Sequence, residues 1–274
     1  MNPHRKLNDG NTVPPIGLGV WQMPANATAR IVGSAIKAGY RLIDTAAAYG
    51  NEQGVGDAVR GAPVAREELF VTTKLWNSDQ GYDRALRAFD ASLSALSLDY
   101  VDLYLIHWPS PRKNLFVESW KALVRLRREG QVRSIGVSNF CPEHLERIIG
   151  ETGVVPVLNQ IELHPRFQQR AARAFHERHG IVTEAWSPLG KGQLLNDSLL
   201  TEIGTKHHKT PAQVVLRWHL ENYLIAIPKS ADLGRLTQNL DVFDFSLDAD
   251  DMKRIDRLDS ADGRTGPDPL ATTL

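Results

Sequence analysis

The residues able to do chemistry in this chain stand at the ends of short apolar runs. Arg41-Leu42-Ile43-Asp44 finishes on a carboxylate, and Tyr49 lies in the segment after it. Leu69 to Lys74 finishes on an amine, and Val101 to His107 on an imidazole. Val132 to Ser138 runs into Asn139, and Pro156 to Ile161 contains Gln160. Any one of these could be an incidental polar cap where a strand leaves a core. Four titratable groups on three neighbouring runs are harder to dismiss, because apolar strands seldom end repeatedly in Asp, Lys and His.

Together these types can deliver a proton. A free tyrosine titrates at about 10 and is a poor acid near neutral pH. An ammonium beside it favours the phenolate, so Lys74 is expected to lower the Tyr49 pKa and make it a better donor. Asp44 would pair with Lys74 and fix it, and His107 would hydrogen-bond and orient a carbonyl oxygen. None of these side chains supplies a hydride, so carbonyl reduction here would require a nicotinamide cofactor.

The elements that must position the set follow from the hydrophobic pattern. Lys6 to Val13 carries Asp9-Gly10 between short extended stretches, which predicts a tight hairpin. Strands are predicted at 16–20, 41–45, 69–74, 101–106, 133–138, 156–161, 181–186 and 224–228, several of them apolar throughout, as strands covered on both faces are. Helical spacing runs between them, in Asp83–Leu98, in Glu118–Glu129 with Gly130 behind it, and from Thr210-Pro211 to Glu221. Eight strands alternating with helices predict a (β/α)8 TIM barrel, preferred over an open doubly wound sheet on count and length. In such a barrel catalytic groups project from the C-terminal strand ends, where the polar residues fall.

Composition narrows the alternatives. The 274 residues, 42% hydrophobic and 23% charged, suit a soluble chain read as one domain over 1–274. The 32 basic and 32 acidic residues cancel, so no net field favours nucleic acid or an anionic membrane. Cys141 is the only cysteine, which excludes an intrachain disulfide and a multi-cysteine metal site. Met1 to Lys6 lacks the apolar core of a signal peptide and no run reaches transmembrane length, so a cytoplasmic location is expected.

Three stretches carry a resemblance to the aldo-keto reductase superfamily. The first is Gly39 to Ala46 with Tyr49, Asn51-Glu52 and Gly56; the second is Leu93 to Leu98 followed by Asp99 to Pro109; the third is Ile227-Pro228-Lys229-Ser230 with Arg235 and Asn239. The length and the tail Asp262 to Pro269 resemble bacterial 2,5-diketo-D-gluconate reductase-type members. The resemblance implies a barrel with an N-terminal β-hairpin and an extra C-terminal helix, and a catalytic tetrad of Asp44, Tyr49, Lys74 and His107. It implies that Ser138, Asn139 and Gln160 hold a nicotinamide carboxamide and that Trp186 stacks on the ring. Ser187, Leu189, Gly190 and Lys191 would line the pyrophosphate. Lys229, Ser230 and Arg235 would grip a 2′-phosphate, which implies NADPH over NADH. Gln238, where glutamate is usual, and Asn239 would meet the adenine end. Members are often monomers that reduce small aldehydes, ketones or dicarbonyls.

Other motifs read more plainly. Gly17-Leu18-Gly19 and Gly54-Val55-Gly56 lack the third glycine of a dinucleotide fingerprint and read as turn or close-packing glycines. His176-Glu177-Arg178-His179 has the wrong spacing for zinc, and no metal is expected. Cys141 reads as a packing thiol. Trp120 and Trp218 fall on helical core positions, whereas Trp21, Trp76 and Trp108 follow strands and would wall a substrate pocket. Two other functions compete: a cofactor-binding scaffold or redox sensor of the same fold, and a sugar-phosphate barrel enzyme in which Lys229 and Arg235 bind substrate phosphate.

Overall fold

The apolar runs become strands of a closed parallel barrel, and the amphipathic segments pack around it. The structure, a computed structural model, describes residues 4–272. Residues 1–3, part of the segment read for a signal peptide, lie outside the described residues. The chain opens with a hairpin of β1 (Arg5–Lys6) and β2 (Thr12–Val13), with Gly10 between them at φ 93, a left-handed value that glycine adopts without a Cβ penalty. Eight parallel strands follow: β3 (Leu18–Gly19), β4 (Leu42–Asp44), β5 (Phe70–Leu75), β6 (Val101–Ile106), β7 (Val132–Ser138), β8 (Leu158–Glu162), β9 (Val182–Trp186) and β10 (Ile225–Ala226). Each pairs with its sequence neighbour, and a parallel bridge between Ile16 and Ala226 closes the ring.

The helices are α1 (Ala25–Ala38), α2 (Glu52–Arg60), α3 (Tyr82–Leu96), α4 (Phe116–Arg128), α5 (Pro142–Thr152), α6 (Arg170–His179), α7 (Ser198–His207), α8 (Pro211–Glu221), α9 (Leu233–Leu240) and α10 (Ala249–Asp256). Their ends have local causes. Thr210 caps α8 by accepting from the Gln213 N–H, and Gln213 Oε1 accepts from the Thr210 N–H at 2.9 Å, a capping box worth about 1 kcal/mol. The extra helix after the last strand is α10, capped by Asp248 in the same manner. A Cβ on Gly56 would lie 1.8 Å from the Leu96 carbonyl oxygen, so this glycine lets α2 lie directly on the end of α3.

Inside the barrel the lower layers are apolar. Leu42, Leu103, Leu105, Leu158 and Ile225 cluster with Leu7 and Val13, so the hairpin closes the N-terminal mouth. Above this floor the inward positions turn polar. Trp120 and Trp218 are fully buried, as their helical spacing predicted. No helix among the described residues is long and apolar enough to cross a membrane.

Candidate active site

Asp44 ends β4 and Lys74 sits near the end of β5, one strand over, so their side chains meet above the leucine floor. Lys74 Nζ donates to Asp44 Oδ1 at 2.5 Å, to the Thr45 carbonyl at 2.9 Å and to the Tyr49 hydroxyl at 3.5 Å. Three acceptors match the three protons of an ammonium, which favours a true ion pair. Burial pushes the Asp44 carboxyl up. For Lys74 burial works downward, but Asp44 and Tyr49 together lift the amine above its ordinary value and keep it charged.

Tyr49 closes a short 3₁₀ turn, Ala47–Tyr49, that brings the phenol back over β4. The sequence predicted a lowered pKa, and the structure reverses that direction. Burial of the ring raises the phenol, and the opposing pull of Lys74 only moderates the rise. The phenol therefore keeps its proton through the neutral range.

His107 follows β6 and packs edge-on against Tyr49, with ring centroids 5.6 Å apart, and against Trp76 at 5.0 Å. Burial, reinforced by the Lys74 charge, pushes its pKa well down, so the imidazole is neutral. Its Nδ1 has no hydrogen-bond partner among the described residues.

Asp44, Tyr49 and His107 wall a cavity of about 460 Å³ at the C-terminal mouth of the barrel, with Lys74 behind them. Trp21, Trp76 and Trp108 form one side, with Trp21 47% exposed at the rim and Trp108 nearly buried. Ser138, Asn139, Gln160 and Trp186 form another, and Ser187, Lys191 and Lys229 complete it. The amides there are already ordered. Ser138 Oγ donates to the Gln160 main-chain carbonyl at 2.8 Å, Asn139 Nδ2 donates to the His107 main-chain carbonyl at 2.9 Å, and Trp186 Nε1 donates to Asn139 Oδ1 at 2.8 Å.

Six of the sequence-predicted binding residues lie off the cavity wall. Leu189 packs between two parts of the hydrophobic core, and Gly190 is buried at the start of a 3₁₀ turn. The Ser230 hydroxyl is taken up by Asp232, accepting from its N–H at 3.1 Å and donating to its carbonyl at 3.2 Å. Arg235 and Gln238 are exposed on α9, while Asn239 is buried beside the Tyr40 phenol. Cys141 is the N-cap of α5, and burial pushes its thiol up to about 11, consistent with a packing role. His176 bridges Asn159 and Thr183 at 2.9 Å on each side.

Two buried carboxyls at the site escaped the sequence reading. Glu184 on β9 lies beneath the mouth, fully buried, with Gln160 Nε2 donating to its Oε1 at 2.5 Å. Glu162, ending β8, ties down the C-terminal tail. It accepts from the Thr265 N–H at 2.7 Å, the Thr265 hydroxyl at 2.6 Å and the Gly266 N–H at 2.9 Å. Lys191 Nζ adds a bond to the Thr265 carbonyl at 2.8 Å. A Cβ on Gly266 would lie 2.4 Å from the Trp186 ring, so the tail rests directly on the indole, and Pro267 joins the cavity wall. The signal for both carboxyls was the strand period of two: Glu184 precedes Trp186, and Glu162 follows Gln160, by two residues on the same face.

The Glu162 latch has a pH signature. Burial raises this carboxyl, but the donors from His164, Thr265 and Gly266 outweigh it and hold its pKa below the ordinary glutamate value. A depressed folded pKa contributes stability above the unfolded value, and that contribution is lost as pH falls through the folded one. Glu162→Gln is expected to lower stability at neutral pH by about 1–2 kcal/mol and to flatten this part of the acid limb. Denaturant unfolding at several pH values checks it, and an unchanged acid limb would count against the latch.

A closed parallel barrel with a Lys–Asp pair under a tyrosine at its C-terminal mouth defines a class of barrel enzymes. The chain belongs to the Aldo/keto reductase family, whose sequence profile matches residues 15–260. An aldo-keto reductase of Mycolicibacterium smegmatis is 56% identical over 269 residues, covering 98% of each chain. Methylglyoxal reductase DkgA of Escherichia coli is 51% identical over 266 residues, covering 96% of each. Among solved structures, a Gox0644 variant in complex with NADPH has a TM-score of 0.97 at 55% identity, covering 100% of both chains.

Proposed function

We propose that this chain is a single-domain, NADPH-dependent reductase of small aldehydes, ketones and dicarbonyls, acting as a cytoplasmic monomer with Tyr49 as the proton donor. The observation that carries the reading is Lys74, buried and held by Asp44, with its third proton directed at the Tyr49 hydroxyl on the cavity wall. The E. coli relative reduces methylglyoxal by its name, which supports a small dicarbonyl as substrate.

The residues present fit the cofactor. A planar indole stands on the cavity wall beside two amide side chains, and Gly19 joins that wall without a side chain, since a Cβ there would lie 2.9 Å from the Ile227 carbonyl oxygen. Bound NADPH supplies the hydride. Ser138, Asn139 and Gln160 would hold its carboxamide, Trp186 its ring face, and Ser187, Leu189, Gly190 and Lys191 its pyrophosphate. Lys229, Ser230 and Arg235 would bind the 2′-phosphate, with Gln238 and Asn239 toward the adenine. His107, neutral, donates a hydrogen bond to the substrate carbonyl oxygen and turns it toward Tyr49. Tyr49 then gives its proton to that oxygen, and Lys74 stabilises the phenolate left behind. The three tryptophans exclude water from the reacting carbon.

Turnover of an aldehyde and dicarbonyl panel with NADPH, run beside NADH, tests the reading. Tight NADPH binding without turnover across the panel would replace it with the scaffold or sensor alternative. Charge-assisted bonds to a phosphate contribute about 1.5–3 kcal/mol each, or tenfold and more. The double variant Lys229→Ala/Arg235→Ala is therefore expected to lose at least about tenfold of its preference for NADPH while NADH turnover stays level. An unchanged preference would remove the phosphate assignment.

A further inference from the structure

We propose that Glu184 is a positioning residue whose buried carboxyl fixes the Gln160 amide with its nitrogen inward and its oxygen toward the cavity. The inference rests on the reading of this cavity as the nicotinamide site, and it concerns a residue that touches neither substrate nor cofactor.

The geometry is a two-point clamp. Gln160 Nε2 has two protons; one goes to Asp44 Oδ2 at 2.8 Å and the other to Glu184 Oε1 at 2.5 Å. The acceptors come from opposite sides, β4 and β9, and each is a carboxyl oxygen. A flipped amide would set its own oxygen against both of them, which is repulsive unless both carry protons. With the nitrogen committed inward, the carbonyl oxygen is the group Gln160 can offer to the cavity it lines. An acceptor at that point suits the N–H donors of a primary carboxamide. Asp44 alone is a poor clamp, because it is already engaged by Lys74 and occupies only one of the two amide protons.

Charge balance says how Glu184 performs this. The charged and titratable groups facing it are Asp44 from β4, Lys74 from β5 and Tyr49 from the turn after β4; Gln160 on β8 is neutral. Two carboxyls share one ammonium in a space without solvent, and Glu184 Oε2 has no hydrogen-bond partner among the described residues. A second buried negative charge there is unfavourable. Burial, with Asp44 adding to it, pushes Glu184 up to about 8, so at neutral pH the group is mostly a neutral carboxyl that still accepts through Oε1. A glutamine at 184 reproduces that acceptor without the charge, and a leucine removes it at similar volume.

The test measures equilibrium binding of NADPH and of 2′,5′-ADP, which carries the phosphate end but no nicotinamide, to wild type, Glu184→Leu and Glu184→Gln at neutral pH. Loss of the clamp should weaken NADPH binding about tenfold in the leucine variant, equivalent to roughly one hydrogen bond between neutral groups. The same variant should keep 2′,5′-ADP within about twofold, and the glutamine variant should return NADPH to within about twofold of wild type. Unchanged NADPH affinity in Glu184→Leu would overturn the inference, as would an equal loss for both ligands, which marks general damage to the barrel. Failure of Glu184→Gln to restore NADPH binding would overturn it too. If wild type binds NADPH no more tightly than 2′,5′-ADP, the nicotinamide reading of the cavity fails first and takes the inference with it.

Discussion

Tyr49→Phe is expected to lower the rate of carbonyl reduction by about 10²–10⁴, the range a positioned general acid contributes, with NADPH affinity within about twofold of wild type. The substitution removes one oxygen and leaves the ring in its edge contact with His107. Lys74 keeps two of its three acceptors, Asp44 and the Thr45 carbonyl, so the ion pair beneath should survive. The protonation states make Tyr49 the natural donor. Its phenol is raised by burial and keeps its proton, while His107 is depressed and already neutral. A neutral imidazole can orient a carbonyl by hydrogen bonding but parts with its remaining proton far less readily than an imidazolium does. Steady-state kinetics beside a cofactor titration check the prediction. Turnover near the wild-type level would move the proton to another source, and a parallel loss of NADPH binding would point to damage in the cavity wall.

What the sequence disclosed and what it hid have physical reasons. The prediction of 101–106 coincides with β6, because that strand is covered on both faces and reads as an almost continuous apolar run. The last strand was predicted at 224–228 yet pairs only over Ile225–Ala226; Pro228 has no N–H to continue the ladder. Asp44, Lys74 and His107 were legible because a charge at the end of an apolar run is out of place locally. Glu184 and Glu162 were not, since the Asp44 and Lys74 charges that give Glu184 its setting reach it across the barrel, and Glu162 is held by a tail 103 residues away. The direction of the Tyr49 shift was hidden for the same reason. The lysine neighbour could be guessed from strand order, but the burial that outweighs it is a property of the closed barrel. For Arg235 and Gln238, resemblance alone supplied the assignment, and both stand exposed on α9, off the cavity wall.

Lys74→Met is expected to abolish most turnover and also to destabilise the fold by about 3–5 kcal/mol, the cost of stripping a buried charge of its partner. At about 2–4 °C per kcal/mol for a chain of this size, the melting temperature should fall by roughly 10 °C. The reason lies in what remains. Without the ammonium, buried Asp44 keeps only the Gln160 amide as a side-chain donor, and the neighbouring Glu184 adds to the carboxyl crowding. Asp44→Asn/Lys74→Met removes the stranded charge and should be more stable than the single variant, because the two effects are coupled and do not add. Activity should not return, since Tyr49 in the double variant has no cation to stabilise its phenolate. Denaturant unfolding and turnover measured on the same three proteins separate the two roles of the pair. Equal stability of the single and double variants would mean that Asp44 is already neutral in the fold, and that Lys74 serves Tyr49 without an ion pair beneath it.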